Sequence, residues 1–129
     1  MLKTFRLNVH QIVVGVLLLL TSACVFAQSN SIRLMVGFPA GGGTDAIARI
    51  LGEHLSQKLG TPVIIENRAG AGGQIAAQAL KTAAADGSVL FLSHDHTISI
   101  LPLINKKAGY DSAIDFVPVS GFATFANGI

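Results

Sequence analysis

Apolar residues along this chain alternate between short continuous runs and sets spaced at helical intervals. Ile32 to Val36 (IRLMV) is a short, mostly apolar run closed by Gly37, the pattern of a buried strand. From Asp45 onward Ile47, Ile50, Leu51, Leu55 and Leu59 follow helical spacing. Gly60 and Pro62 predict its end, one as a C-terminal cap and the other as a breaker. Val63 to Ile65 reads as a second strand, ENRAGAGGQ as a loop, and Gln74 to Lys81 as an alanine-rich helix. Asp86-Gly87 marks a turn before a third strand, Val89 to Ser93. A further helix is expected from about Thr97, broken around Pro102. The β-α-β-α-β-α order predicts an α/β fold, a parallel sheet with helices on its faces.

In such sheets ligands bind outside the carboxyl ends of the strands. Three loops fall at that edge: Phe38–Thr44, Asn67–Gly73 and Ser93–Thr97. The first contains three consecutive glycines, Gly41, Gly42 and Gly43, just before a helix. A helix N-terminus offers unpaired N–H groups and partial positive charge, and a glycine loop lets an anion approach them. Thr44 is expected to cap this helix, with Asp45 favouring its dipole. A plain strand-to-helix turn is the bland alternative. No lysine follows the glycines, so the loop lacks a Walker signature. Gly41, Gly43 and Ala46 loosely fit a dinucleotide fingerprint with Glu66 as its acidic partner.

The second loop repeats the device with Gly70, Gly72 and Gly73, and Arg68 is read as tying it to Glu66. In the third loop, SHDHT, an extended backbone would place His94 and His96 on one face and Asp95 on the other. Both histidines suit the rim of a binding pocket. A metal site needs three or four ligands, and the only other histidine beyond the N-terminal segment is His54, inside the first helix.

The N-terminus alters the charge picture. Lys3 and Arg6 precede the apolar run Ile12 to Leu20, and Val25 and Ala27 stand at −3 and −1 of a cleavage site. Residues 1–27 therefore read as an export signal. The alternatives are a retained anchor, for which the apolar run is short of the ~20 residues a span needs, and a lipoprotein modified at Cys24, whose motif has Thr21 where Leu is usual. The chain of 129 residues carries nine Lys+Arg and seven Asp+Glu. Without Lys3 and Arg6 the positive charges also number seven, so the remainder is neutral and lacks a basic stripe for nucleic acid. Its one cysteine, Cys24, lies within the signal, so neither an internal disulfide nor a cysteine metal site is expected.

The stretch IRLMVGFPAGGGTDAIARILGEHLSQKLGTPVIIENRAGAGGQIAAQAL resembles the periplasmic receptors of tripartite tricarboxylate transporters, the Bug family. Their opening is a strand, Pro-Phe-(Pro/Ala)-x-Gly-Gly-(Gly/Ser)-x-Asp, a helix, then Val-x-x-Glu-Asn-Arg-Pro-Gly-Ala-Gly-Gly. The similarity continues through ADGSVLFLS and YDSAIDFVPVSGFAT. The resemblance implies a type II periplasmic-binding-protein lobe, part of a two-lobe receptor that closes on an organic carboxylate and hands it to membrane transporter subunits. It implies neither cofactor nor catalysis. It points to Phe38, Ala40, Gly41, Gly42, Gly43, Thr44 and Asp45 in the first loop, and to Ser93 with its neighbours His94 and His96 in the third. Ala69 replaces the family's usual proline, and HDH replaces smaller residues. Family members are far longer, so residues 28–129 are expected to form the N-terminal part of the first lobe, ending near the lobe crossover, with the second lobe absent.

Two other functions compete. One is a small exported metal-dependent enzyme built on His94, Asp95 and His96. The other is a receptor remnant that no longer binds. Neither a G-x-S-x-G elbow nor an exported cysteine nucleophile is present in the sequence.

Overall fold

The computed structural model describes residues 31–124. The expected export signal, with Cys24, lies outside them. Strand β1 (Ile32–Val36) is followed by helix α1 (Gly43–Leu59), strand β2 (Val63–Asn67), a short 3-10 turn (Ala71–Gly73) and helix α2 (Gln74–Lys81). Strand β3 (Val89–Leu92) leads to a π-helical turn (His96–Ile100), which continues into the short helix α3 (Leu101–Ile104); a second short helix, α4 (Ser112–Asp115), follows after residues 105–111.

The three strands form one parallel sheet in the order β2-β1-β3. Val36 at the end of β1 pairs with Asn67 and Leu92, so all three strands reach the same edge together. As the middle strand, β1 is covered on both faces at Leu34, Met35 and Val36, which explains why these three consecutive residues are apolar. Leu34 and Val36 face α1 and join Ala48 and Leu92 in one core. Met35 points the other way, packing with Ala76 of α2 and Val89. That second core continues through Ala77, Leu101, Ala108 and Tyr110.

Several sequence expectations need correction. In α1 the buried positions are Asp45, Ala48 and Gly52, whereas Ile50 and Leu59 are mostly exposed. The small residues let the helix lie close on the sheet, and Ile47 and Leu51 pack beside them. Strand β2 runs two residues beyond Ile65, because Glu66 and Asn67 pair with Met35 and Val36. Strand β3 ends at Leu92 rather than Ser93. Pro102 does not break the last helix: it lies in the first turn of α3, where a missing N–H costs little. Helix α1 closes as expected, with Gly60 in left-handed backbone and its N–H donating to the Ser56 carbonyl.

Candidate functional site

Loop 1 (residues 37–42), loop 2 (68–70, with the turn 71–73) and loop 3 (93–95) leave the carboxyl ends of β1, β2 and β3 side by side. Their arrangement rests on two polar centres and one backbone contact.

The first centre is Asp45. Its side chain is only 4% exposed. Oδ2 accepts from the Gly41 N–H and from Arg49 Nε, both at 2.9 Å. Oδ1 accepts from Asn67 Nδ2 at 3.0 Å and from Arg49 Nη2 at 3.2 Å. Asn67 Nδ2 also donates to the Phe38 carbonyl at 3.1 Å, so the end of β2 is tied to loop 1. Hydrogen bonds from Arg49, then Gly41 and Asn67, hold the Asp45 carboxyl at a pKa of about 2. Asp45 therefore supports the loop from behind.

The second centre is Thr97, fully buried, whose Oγ1 donates to the Gly72 carbonyl at 2.7 Å. Its own carbonyl accepts from the Tyr110 hydroxyl, and Ser112 Oγ donates to the Ile98 carbonyl. Side chains from the later segment thus satisfy carbonyls of the π-helical turn. The backbone contact joins loops 1 and 2, where a Cβ added at Gly37 would come within 2.8 Å of the Gly73 Cα.

Glycine is required at Gly41, which has φ 83°. Gly42 and Gly43 differ. Gly42 has ordinary extended backbone (φ −80°, ψ 171°), and a Cβ there would meet only the Pro39 carbonyl oxygen at 3.4 Å. A Cβ on Gly43 would meet nothing within 4 Å. Helix α1 begins with the Ala46 N–H donating to the Gly42 carbonyl at 3.0 Å. The N–H groups of Gly43, Thr44 and Asp45 precede that bond, in the first turn where intrahelical acceptors are lacking. Gly42 is consequently the cap, and the expectation that Thr44 caps the helix is corrected: Thr44 sits two residues past the cap, and its hydroxyl pairs with His94 Nε2 at 3.0 Å.

The third loop also departs from expectation. Asp95 adopts helical backbone, and its carboxylate accepts from the His96 N–H at 2.8 Å. Residues two apart in helical backbone do not share a face, so His94 and His96 separate. The half-buried His94 ring stacks on Phe38 with centroids 4.5 Å apart. His96 is exposed and lies beside loop 2, where a Cβ on Gly72 would come within 3.3 Å of its Nε2. Ser93 is half-buried at the end of β3, and Ala40 is exposed at the tip of loop 1. Among the described residues no group of three or more His, Cys, Asp or Glu side chains is placed to hold a metal.

The arginines near this edge are committed to carboxylates: Arg49 to Asp45, and Arg33 and Arg68 both to Glu66. The Arg68–Glu66 tie matches the sequence reading. Asn67, Gly37 and Thr97 are the residues that sequence reasoning passed over. Asn67 gave a signal, a polar residue closing an apolar strand; the contacts of Gly37 and Thr97 depend on which loops meet.

Residues 47–129 match the model of the tripartite tricarboxylate transporter family receptor. The chain is 44% identical to Protein BugT of Bordetella pertussis over 97 residues, 71% of this chain and 28% of that protein. It spans about a third of the length of the curated relatives it matches. Among solved structures it resembles the periplasmic binding protein BugD, with TM-score 0.63 and 37% identity over 67% of this chain and 28% of that one. It also resembles MatC from Rhodopseudomonas palustris with bound malate, with TM-score 0.65 and 37% identity over 69% of this chain and 30% of that one.

Proposed function

The chain belongs to the tripartite tricarboxylate transporter receptor family, and from that premise we propose that it acts in the periplasm as a non-catalytic receptor for an organic carboxylate. Residues 1–27 would direct export, and residues 28–129 would correspond to the beginning of the first lobe. The partners would be the membrane subunits of a tripartite tricarboxylate-type transporter.

One observation carries this reading. Among the described residues nothing explains why residues 42 and 43 are glycine, since neither φ nor crowding requires it. As a cap, Gly42 is no better than the serine, threonine, asparagine or aspartate that helices prefer. A group outside the chain that must reach the backbone supplies the missing reason. The N–H groups of Gly43 and Thr44 at the positive end of α1 suit a carboxylate, and the nearby arginines are engaged with Asp45 and Glu66. Phe38, Ala40, Gly41, Ser93, His94 and His96 would line the rim, with Asp45 holding loop 1 in shape.

Gly42→Val tests the reading well, because valine adopts extended backbone and its Cβ would meet only the Pro39 carbonyl oxygen, at 3.4 Å. Calorimetric titration of the full chain with malate should show at least a roughly tenfold loss of affinity, about 1.4 kcal/mol, with an unchanged circular dichroism spectrum. A folded variant that binds normally would mean that these glycines only shape a turn.

A further inference from the structure

We infer that His94 determines specificity at the proposed carboxylate site, its imidazole standing across the gap between loops 1 and 3 and limiting the length of acid admitted. The inference rests on the receptor reading above.

His94 belongs to loop 3, yet its ring reaches Phe38 and Thr44 on the β1 side of the gap. The ring stacks on Phe38 with an interplanar angle of 27°. Its Nε2 lies 3.0 Å from the Thr44 hydroxyl. In either tautomer one member of that pair supplies the proton. Stacking holds the plane of the ring and the hydrogen bond holds its edge, so the imidazole is fixed at two points. Phe38 and Thr44 bracket the segment that presents the N–H groups of Gly43 and Thr44. Because β1 and β3 are neighbours in the sheet, the ring occupies the β3 side of the space outside those groups. A carboxylate bound there would have the imidazole as a wall. A short diacid clears it, whereas added methylenes run into it. His96, turned toward loop 2, does not share this position.

Calorimetric titration of the full chain with malate, and with the longer diacid adipate, tests the idea in three proteins. The wild type should prefer malate. His94→Ser should shift the ratio of the two dissociation constants toward adipate by about tenfold or more, the scale on which pockets discriminate one or two methylenes. His94→Phe keeps the bulk and the stacking but loses the hydrogen bond, and should retain the wild-type ratio. Should His94→Ser fail to fold by circular dichroism, the smaller polar His94→Asn is read in the same way. An unchanged ratio in a folded, binding serine or asparagine variant overturns the inference, as does a phenylalanine variant that shifts as far as serine. Wild-type protein that binds neither acid overturns the receptor reading and this inference with it, so the two failures are distinguishable.

Discussion

At the scale of single residues, Asp45 shows how a charged side chain can be buried usefully. Arg49, Gly41 and Asn67 satisfy both of its oxygens, and loop 1 is held in shape by them. Asp45→Asn replaces one acceptor by a donor that must face Arg49 or Asn67, so the variant should be less stable at neutral pH. The pH dependence has a defined sign. The carboxyl titrates near 3.8 when unperturbed and at about 2 in the folded protein, with Arg49 as the leading cause. Its contribution to stability is therefore complete above pH 3.8 and is lost as pH falls toward 2. Asp86 and Asp115 are also lowered, by bonds from Ser88 and from Asp111 with Lys81. The informative quantity is thus the melting-temperature difference between wild type and Asp45→Asn, which should shrink between pH 5 and pH 2. A difference that stays constant over that range would contradict the assignment.

Among elements, the decisive junction is where loops 1 and 2 and the π-helical turn meet. Gly73 has φ 91°, and a Cβ there would approach Thr97 Oγ1 to 2.7 Å and Cγ2 to 2.9 Å. Gly73→Ala should therefore combine backbone strain with overpacking, a loss of roughly 2–3 kcal/mol. Thr97→Val keeps the shape but leaves the Gly72 carbonyl without its donor, which should cost roughly 1–3 kcal/mol. Urea unfolding followed by circular dichroism measures both. If Gly73→Ala unfolds at the wild-type midpoint, the junction is looser than its distances imply. The helix boundaries of α2 and the end of α1 were legible in the sequence because they depend on local signals: a capping glycine, a proline, an alanine-rich run. The π-helical turn was not, because its carbonyls are satisfied by Tyr110 and Ser112, which lie further along the chain.

For the molecule as a whole, the described residues hold one three-stranded sheet with cores on both faces, and no described helix is long and apolar enough to cross a membrane. Export is a separate matter of residues 1–27. Intact-mass measurement of protein recovered from the periplasm should give a chain starting at Gln28. A species that keeps Met1, or that carries lipid on Cys24, would refute this. The neutral balance of the remaining chain agrees with recognition through backbone N–H groups rather than through a field of free cations.

The sequence by itself determined the strand and helix order, the parallel sheet, the three loops at one edge and the family, because periodicity and short motifs are local properties. It also marked Gly41 to Gly43 and the third loop as a candidate site. Tertiary structure alone decided which neighbours each of those residues meets. Ile50 and Leu59 matched helical spacing yet remain exposed, since Ala48 and Gly52 set how closely α1 approaches the sheet. Asp45 and Asn67 are 22 positions apart and meet only because β1 and β2 pair in register. His94 and His96 stand two residues apart but serve different loops, because the backbone turns helical at Asp95. Which side chain meets which loop follows from strand pairing and packing across the chain, and no spacing within a single loop encodes it.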